Sequence, residues 1–190
     1  MVPSPNQLTD YENVLANARL AKSQHPIGNR FPWHAKVAIR ELLEFAHSQN
    51  IGGIRFISDS FSNFVYDNSF CKLVFDYARN VGDVRAIFIG PQLPTNSLFI
   101  STLLECGDIR VTQTESPGKD FQHFFVIGKE AYRLEKGHAP YDASNVSPIS
   151  PVVASTICFS DPQTGEILHD RFEAIWENSL QVQASPNWPR

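Results

Sequence analysis

The sequence predicts an α/β sandwich, a mixed and mostly parallel sheet flanked by helices, with an extra helix at the N-terminus. Three observations carry this expectation. Between residues 54 and 111, short β-branched runs alternate with segments of helical apolar periodicity, the pattern of parallel strands covered on both faces. From Phe121 the pattern changes to a hairpin about Gly128-Lys129, which adds antiparallel strands to one side. A last apolar strand, Val152 to Phe159, precedes a helix marked by Leu168, Phe172, Ile175 and Trp176.

Each element has its own signal. Residues 7–24 read as the first helix, with Thr9 and Glu12 at capping-box spacing and Leu8, Tyr11, Leu15 and Ala18 on one face. The stretch His25-Pro26-Ile27-Gly28-Asn29 ends it. Phe31-Pro32-Trp33 leads into a second helix over about 34–48, where Ile39, Leu42, Leu43 and Ala46 recur at i, i+3, i+4 and i+7. Ile54 to Ser58 is a strand, and the loop Asp59-Ser60-Phe61-Ser62-Asn63 follows it. Phe70, Leu73, Val74 and Tyr77 mark the next helix, Val84 to Ile89 a strand stopped by Gly90-Pro91, Leu98 to Leu104 a helix, and Gly107 to Val111 a third strand. Pro140 to Pro151 is rich in Ser, Asn and Pro and reads as a loop. The expected division is an N-terminal helical arm (1–33), one domain (34–180) and a flexible tail (181–190).

Composition narrows the function classes. At 190 residues, 42% hydrophobic and 19% charged, the chain can bury one full core, and its 14 Phe supply much of the area. A formal charge of −4 gives no general attraction to nucleic acid. No apolar run approaches the roughly 20 residues that span a bilayer. Met1 to Asn6 has neither the basic nor the apolar part of a secretory signal. Cys71, Cys106 and Cys158 are far apart, without CxxC spacing, and read as reduced thiols of a cytoplasmic protein rather than zinc ligands or a disulfide framework. His34, His47, His138 and His169 are scattered, and GxGxxG, Walker A and GxSxG are all missing, so neither metal nor cofactor is expected.

The chemistry-bearing stretch is Phe121-Gln122-His123-Phe124-Phe125-Val126-Ile127-Gly128-Lys129-Glu130-Ala131-Tyr132-Arg133-Leu134-Glu135. One histidine enters the hairpin, and Arg133 and Glu135 leave it on a shared strand face. Arg133 reads either as half of an ion pair with Glu135 or as a ligand for a phosphate or carboxylate. Asp59 and Ser60 follow a strand C-terminus, where open α/β sheets bind ligands, though such residues also cap turns. Ser144-Asn145 could close over a site. Phe31, Trp33, Phe61 and Phe64 either form a surface for a partner or seal the ends of the core.

The run from about Trp33 to Ser179 resembles the phospholipase D-like family. It shows a helix, the strand IRFIS, a loop ending Val65-Tyr66-Asp67, a helix, the strand VRAIFIG, a further helix, DIRV and then the histidine strand. The close, Ala154 to Asp161 through Phe172-Glu173-Ala174-Ile175-Trp176, is similar to that family too. Its active members carry His-x-Lys, four residues and Asp: the His attacks phosphorus, the Lys neutralises the phosphate oxygens and the Asp orients the His partner. Here His123 matches the nucleophile, Phe125 stands at the Lys position and Glu130 at the Asp position, with Gly137 and His138 where Gly and Ser are expected. The resemblance makes His123 and Glu130 the catalytic residues if the protein is active. Losing the cation removes a contact that contributes about 3–4 kcal/mol in such sites; Lys129 or Arg133 could replace it only if its side chain reaches the same point, and Lys129 lies four residues further along the hairpin. Single-motif members form homodimers whose histidines meet across a two-fold axis, so a homodimer is implied. The leading expectation is a pseudoenzyme, a binding or assembly protein, with the N-terminal helix as a docking arm for a protein partner. The alternatives are a phosphodiesterase or nuclease, and a nucleic-acid-binding subunit, which the net charge disfavours.

Overall fold

The computed structural model describes residues 5–94, 96–112, 122–136 and 154–182. The elements are α1 (Pro5–Leu20), β1 (Ile27–Asn29), α2 (Pro32–Gln49), β2 (Ile54–Ser58), α3 (Asn68–Asn80), β3 (Val84–Ile89), α4 (Leu98–Cys106), β4 (Asp108–Thr112), β5 (Phe124–Ile127), β6 (Ala131–Glu135), β7 (Ser155–Cys158), α5 (Pro162–Glu177) and β8 (Leu180–Gln181). The expected loop at 140–151 and the tail beyond Val182 lie outside the described residues, as do Gly137, His138, Ser144 and Asn145.

The strands form one sheet in the order β1-β7-β6-β5-β2-β3-β4-β8. Among the described strands only β2–β3 and β3–β4 pair in parallel. The remaining neighbours are antiparallel, which corrects the mostly parallel expectation to a parallel centre with antiparallel sides. The physical reason is connectivity. Among the described residues only α3 and α4 act as crossovers, and a tight turn such as the one at 128–130 can only join antiparallel strands.

Local signals explain most boundaries. Asp67 caps α3 by accepting from Phe70 N at 3.0 Å, Ser97 caps α4, and Asp161 caps α5 by accepting from Thr164 N at 3.1 Å. Helix α2 opens on Pro32 and stops at Asn50, whose φ of 50° is left-handed. Helix α1 starts at Pro5, so Thr9 and Glu12 lie inside it rather than opening it, and Lys22 turns the chain out at φ 47°. The turn-rich Ile27-Gly28-Asn29 does more than end α1: it becomes strand β1, antiparallel to β7.

Two apolar layers cover the sheet. One face packs under α2, α3 and α4, with Leu15 of α1 fully buried against them. At its centre Phe56 contacts Tyr66, Phe70, Phe99 and Phe125, so Phe61, buried beside them, seals the core rather than forming a surface. The other face packs Ile57, Ile87, Phe124 and Val126 against Leu168, Phe172 and Trp176 of α5. There Arg55 donates to Glu173 at 2.8 Å and pairs with Asp83 at 3.0 Å, while Arg85 and Arg110 lie over the Trp176 ring. Helix α5 rests directly on the β5–β6 turn, where a Cβ on Gly165 would stand 2.5 Å from the Lys129 carbonyl oxygen.

Candidate functional site

The site is a row of polar side chains at one end of the sheet, on the face that looks toward α2. In β7 and its neighbours, Asn29 pairs with Ser155 and Ser155 with Glu135. Glu135 N donates to His123 O at 2.9 Å, so His123 extends β5 by one residue opposite Glu135. Continuing the β2–β5 register puts Ser58 opposite His123. Because side chains alternate along a strand, Ser58, His123, Arg133, Glu135, Ser155 and Asn29 all share the face of Phe56 and Phe125. The apolar core ends where this row begins.

The row is linked by hydrogen bonds and by a longer ion-pair contact to Asp59. His123 Nδ1 lies 3.1 Å from Glu135 Oε2, and its Nε2 lies 3.5 Å from Asp59 Oδ1. Arg133 Nη1 donates to the other Glu135 oxygen at 2.5 Å. Arg133 Nη2 donates to Ser155 Oγ at 2.9 Å and to Asn29 Oδ1 at 3.3 Å, and the Ser155 hydroxyl donates to Asn29 Oδ1. Asn29, Arg133 and His123 are 2%, 7% and 8% exposed, so this is a buried charge network rather than a solvated pair.

A cleft of about 40 Å³ opens beside the row, between Ser58, Ser60 and Ser62 on one side and His123, Arg133 and Glu135 on the other. Phe31, Pro32, Ala35 and Ile39 of the α2 segment form its apolar wall, with Arg30 on the rim. The Ser60 loop is held in place from outside the site. Ser97 donates to Phe61 O at 2.9 Å, and Asn63 accepts from Leu98 N at 2.9 Å. Ser58 Oγ accepts from Ser60 N at 3.1 Å and donates to Ser60 O at 2.8 Å, a tight turn at the end of β2. Tyr11 of α1 stacks on His34 at 4.1 Å, and burial raises the pKa of its hydroxyl while the charge of Arg133 opposes the shift.

The expected site residues divide clearly. His123, Arg133, Glu135, Asp59 and Ser60 come together here. Glu130 does not. It sits exposed in the turn at the far end of β5, about 13 Å of strand from His123 at ~3.3 Å per residue, and its carbonyl accepts from Asp161 N. Lys129 is in the same turn, paired with Glu166 and Asp170 of α5, and cannot stand in for the missing Lys. The sequence alone does not single out Asn29, Ser58, Ser155 or Tyr11 as site residues. Ser155 carried a faint signal, a small polar residue on the same strand face as Ile157, but Asn29 was hidden inside turn-like composition.

Phe125, at the Lys position, is 2% exposed and stacks on Phe56 with centroids 4.3 Å apart and planes 6° from parallel. Directly opposite it in the β5–β6 ladder stands Arg133.

No family model and no curated protein sequence matches the chain. Solved structures do. NucT from Helicobacter pylori aligns at a TM-score of 0.59 and 12% identity, over 83% of this chain and 99% of NucT. Nuc from Salmonella typhimurium, a phospholipase D family member, aligns at 0.54 and 11% identity, over 84% of this chain and 100% of Nuc. The chain has the phospholipase D-like fold. TrmBL2, an archaeal chromatin protein with a novel mode of DNA binding, carries this architecture within a longer chain: TM-score 0.58, 13% identity, 92% of this chain but 62% of TrmBL2. At these identities the phospholipase D-like fold is what is shared, and the polar row of this chain has to be judged on its own chemistry.

Proposed function

We propose that this protein is a non-catalytic binding or assembly protein built on the phospholipase D-like fold and acting as a homodimer. The observation that carries the reading is Phe125, locked in the aromatic core where an active site would need a cation. Phosphoryl transfer to histidine needs a free lone pair on Nε2 aimed at phosphorus and positive charge on the phosphate oxygens. Asp59 Oδ1 faces that nitrogen at 3.5 Å. A neutral imidazole carries one N–H, so with Glu135 and Asp59 at its two nitrogens either the ring holds both protons or one carboxylate faces a lone pair. In the first state no lone pair is left, and in the second any lone pair on Nε2 is aimed at the Asp59 carboxylate. A phosphate at the ring would also meet both carboxylates, and a like charge at 4 Å costs about 4 kcal/mol at an effective dielectric of 20.

Support for assembly comes from the single motif in the chain, the prevalence of two-fold dimers, and apolar side chains on the surface of α1, where Val14 is 51% and Leu20 75% exposed. That helix is the suggested docking surface for a protein partner.

One observation favours a second reading, a phosphodiesterase or nuclease with His123 as nucleophile. Arg133 stands across the ladder from Phe125 and shares Glu135 with His123, so it could supply the cation from the next strand. A nucleic-acid-binding role has less support: Arg55, Arg85 and Arg110 are engaged by Glu173, Asp83 and the Trp176 carbonyl rather than offered as a strip. The test is solution mass by light scattering together with turnover of bis-p-nitrophenyl phosphate by the native chain and His123→Ala. A dimer with no turnover in either form is expected. Native turnover that disappears in the variant would establish the enzyme reading instead.

A further inference from the structure

We propose that the cleft beside His123 binds a neutral, hydroxyl-rich small molecule of the sugar or polyol class rather than a phosphate. The inference rests on the non-catalytic reading above and gives its site a ligand chemistry.

Two buried polar atoms belong to residues that line the cleft and have no hydrogen-bond partner among the described residues. Ser60 and Arg133 both line it and are more than nine-tenths buried, and neither Ser60 Oγ nor Arg133 Nε has a hydrogen-bond partner among the described residues. Buried polar groups are nearly always satisfied, and one left over marks the place of a water or a ligand. Their types are informative. Arg133 Nε only donates, whereas Ser60 Oγ donates and accepts. Glu135 brings acceptor oxygens to the same cleft and Ser62 a further hydroxyl.

A hydroxyl group both donates and accepts, so it can use this mixed set in full. A phosphodiester only accepts, so it would leave the Glu135 oxygens unused and face them as like charges. The charges near the cleft largely cancel, with Arg133 already bonded to Glu135 and His123 set between two carboxylates. The walls suit a ring as well. Phe31 and Tyr66 line the same cleft and offer aromatic surface to the apolar face of a pyranose or cyclitol. The cleft volume of about 40 Å³ takes one edge of such a ring, since a single water needs roughly 10–15 Å³ on the same measure.

The experiment is titration calorimetry of the full chain with a panel of neutral probes (D-glucose, maltose and myo-inositol) beside inorganic phosphate and dimethyl phosphate. Ser60→Ala is run in parallel, a variant that removes an oxygen unpartnered among the described residues, and its fold is checked by circular dichroism. Saturable binding of at least one neutral probe is expected, with no phosphate binding and about a tenfold loss of affinity in Ser60→Ala, the effect of one hydrogen bond. Phosphate binding without polyol binding, or polyol binding indifferent to Ser60→Ala, overturns the proposal while the non-catalytic reading stands. Silence from every probe also overturns it and assigns the orphan atoms to water. Turnover of dimethyl phosphate would instead bring down the non-catalytic reading beneath it.

Discussion

Phe125 and Arg133 face one another across the β5–β6 ladder, on the same side of the sheet. The ring continues the aromatic layer and the guanidinium begins the polar row. Moving positive charge from one strand to the next changes what the site can do, because Arg133 arrives already bonded to Glu135, Ser155 and Asn29.

Phe125 should therefore behave as a core residue. Phe125→Ala is expected to cost about 3–5 kcal/mol, the range for large aromatic truncations. Phe125→Lys should be at least as destabilising, since it buries an ammonium against Phe56, and should not create activity. Urea denaturation of both variants measures this. A Lys variant as stable as the native chain would mean that position 125 is open to the cleft.

Arg133 should be structural as well as chemical. Arg133→Met removes the guanidinium that Glu135 bonds at the mostly buried polar row, and breaking a buried pair in this way costs about 3–5 kcal/mol. Arg133→Lys should recover only part of that, because an ammonium cannot span Glu135, Ser155 and Asn29 in the planar fork. Equal stability of the Met and native forms would place Arg133 in solvent.

Helix α1 should be held in a pH-dependent way through His34, which stacks on Tyr11 and meets Trp33 edge-on. Burial pulls its pKa from 6.5 to about 4. The unfolded chain then binds a proton at a pH where the folded one does not, so this contribution is complete above about 6.5 and declines as pH falls toward 4. Urea midpoints at pH 7 and pH 5 should differ in the native chain, and by less in His34→Phe. An equal drop in both would assign the pH response to other groups.

Contact between α5 and the hairpin turn leaves no room at Gly165. Gly165→Ala would press a methyl group onto the Lys129 carbonyl and the Glu130 amide, so helix propensity, which favours Ala by about 1 kcal/mol, should be overridden. A fall in melting temperature is expected, and a rise would show that α5 can move aside.

Much of the fold is legible in the sequence because its signals are local. The periodicity of Phe70, Leu73, Val74 and Tyr77 and the β-branched runs at 54–58 and 84–89 need no tertiary context. β1 escapes because its Pro, Gly and Asn neighbours carry turn chemistry, and pairing with β7 decides the outcome. The direction of the outer strands is likewise set by connections rather than by residue pattern. In the site, His123, Arg133 and Glu135 are visible as charges breaking an apolar hairpin. Asn29, Ser58 and Ser155 become neighbours only through the register of strands far apart in the chain. Glu130 shows the opposite failure, a residue placed by motif spacing that the hairpin carries to the other end of the sheet.

The measurement closest to the central claim is a single-turnover reaction, with protein in excess over bis-p-nitrophenyl phosphate, read by nitrophenolate release and by intact mass. With Asp59 facing His123 Nε2 and Phe125 in place of the cation, neither a burst nor a covalent adduct is expected. A burst accompanied by one nitrophenyl-phosphoryl adduct per chain, both lost in His123→Ala, would show that His123 attacks phosphorus and that Arg133 supplies the missing charge.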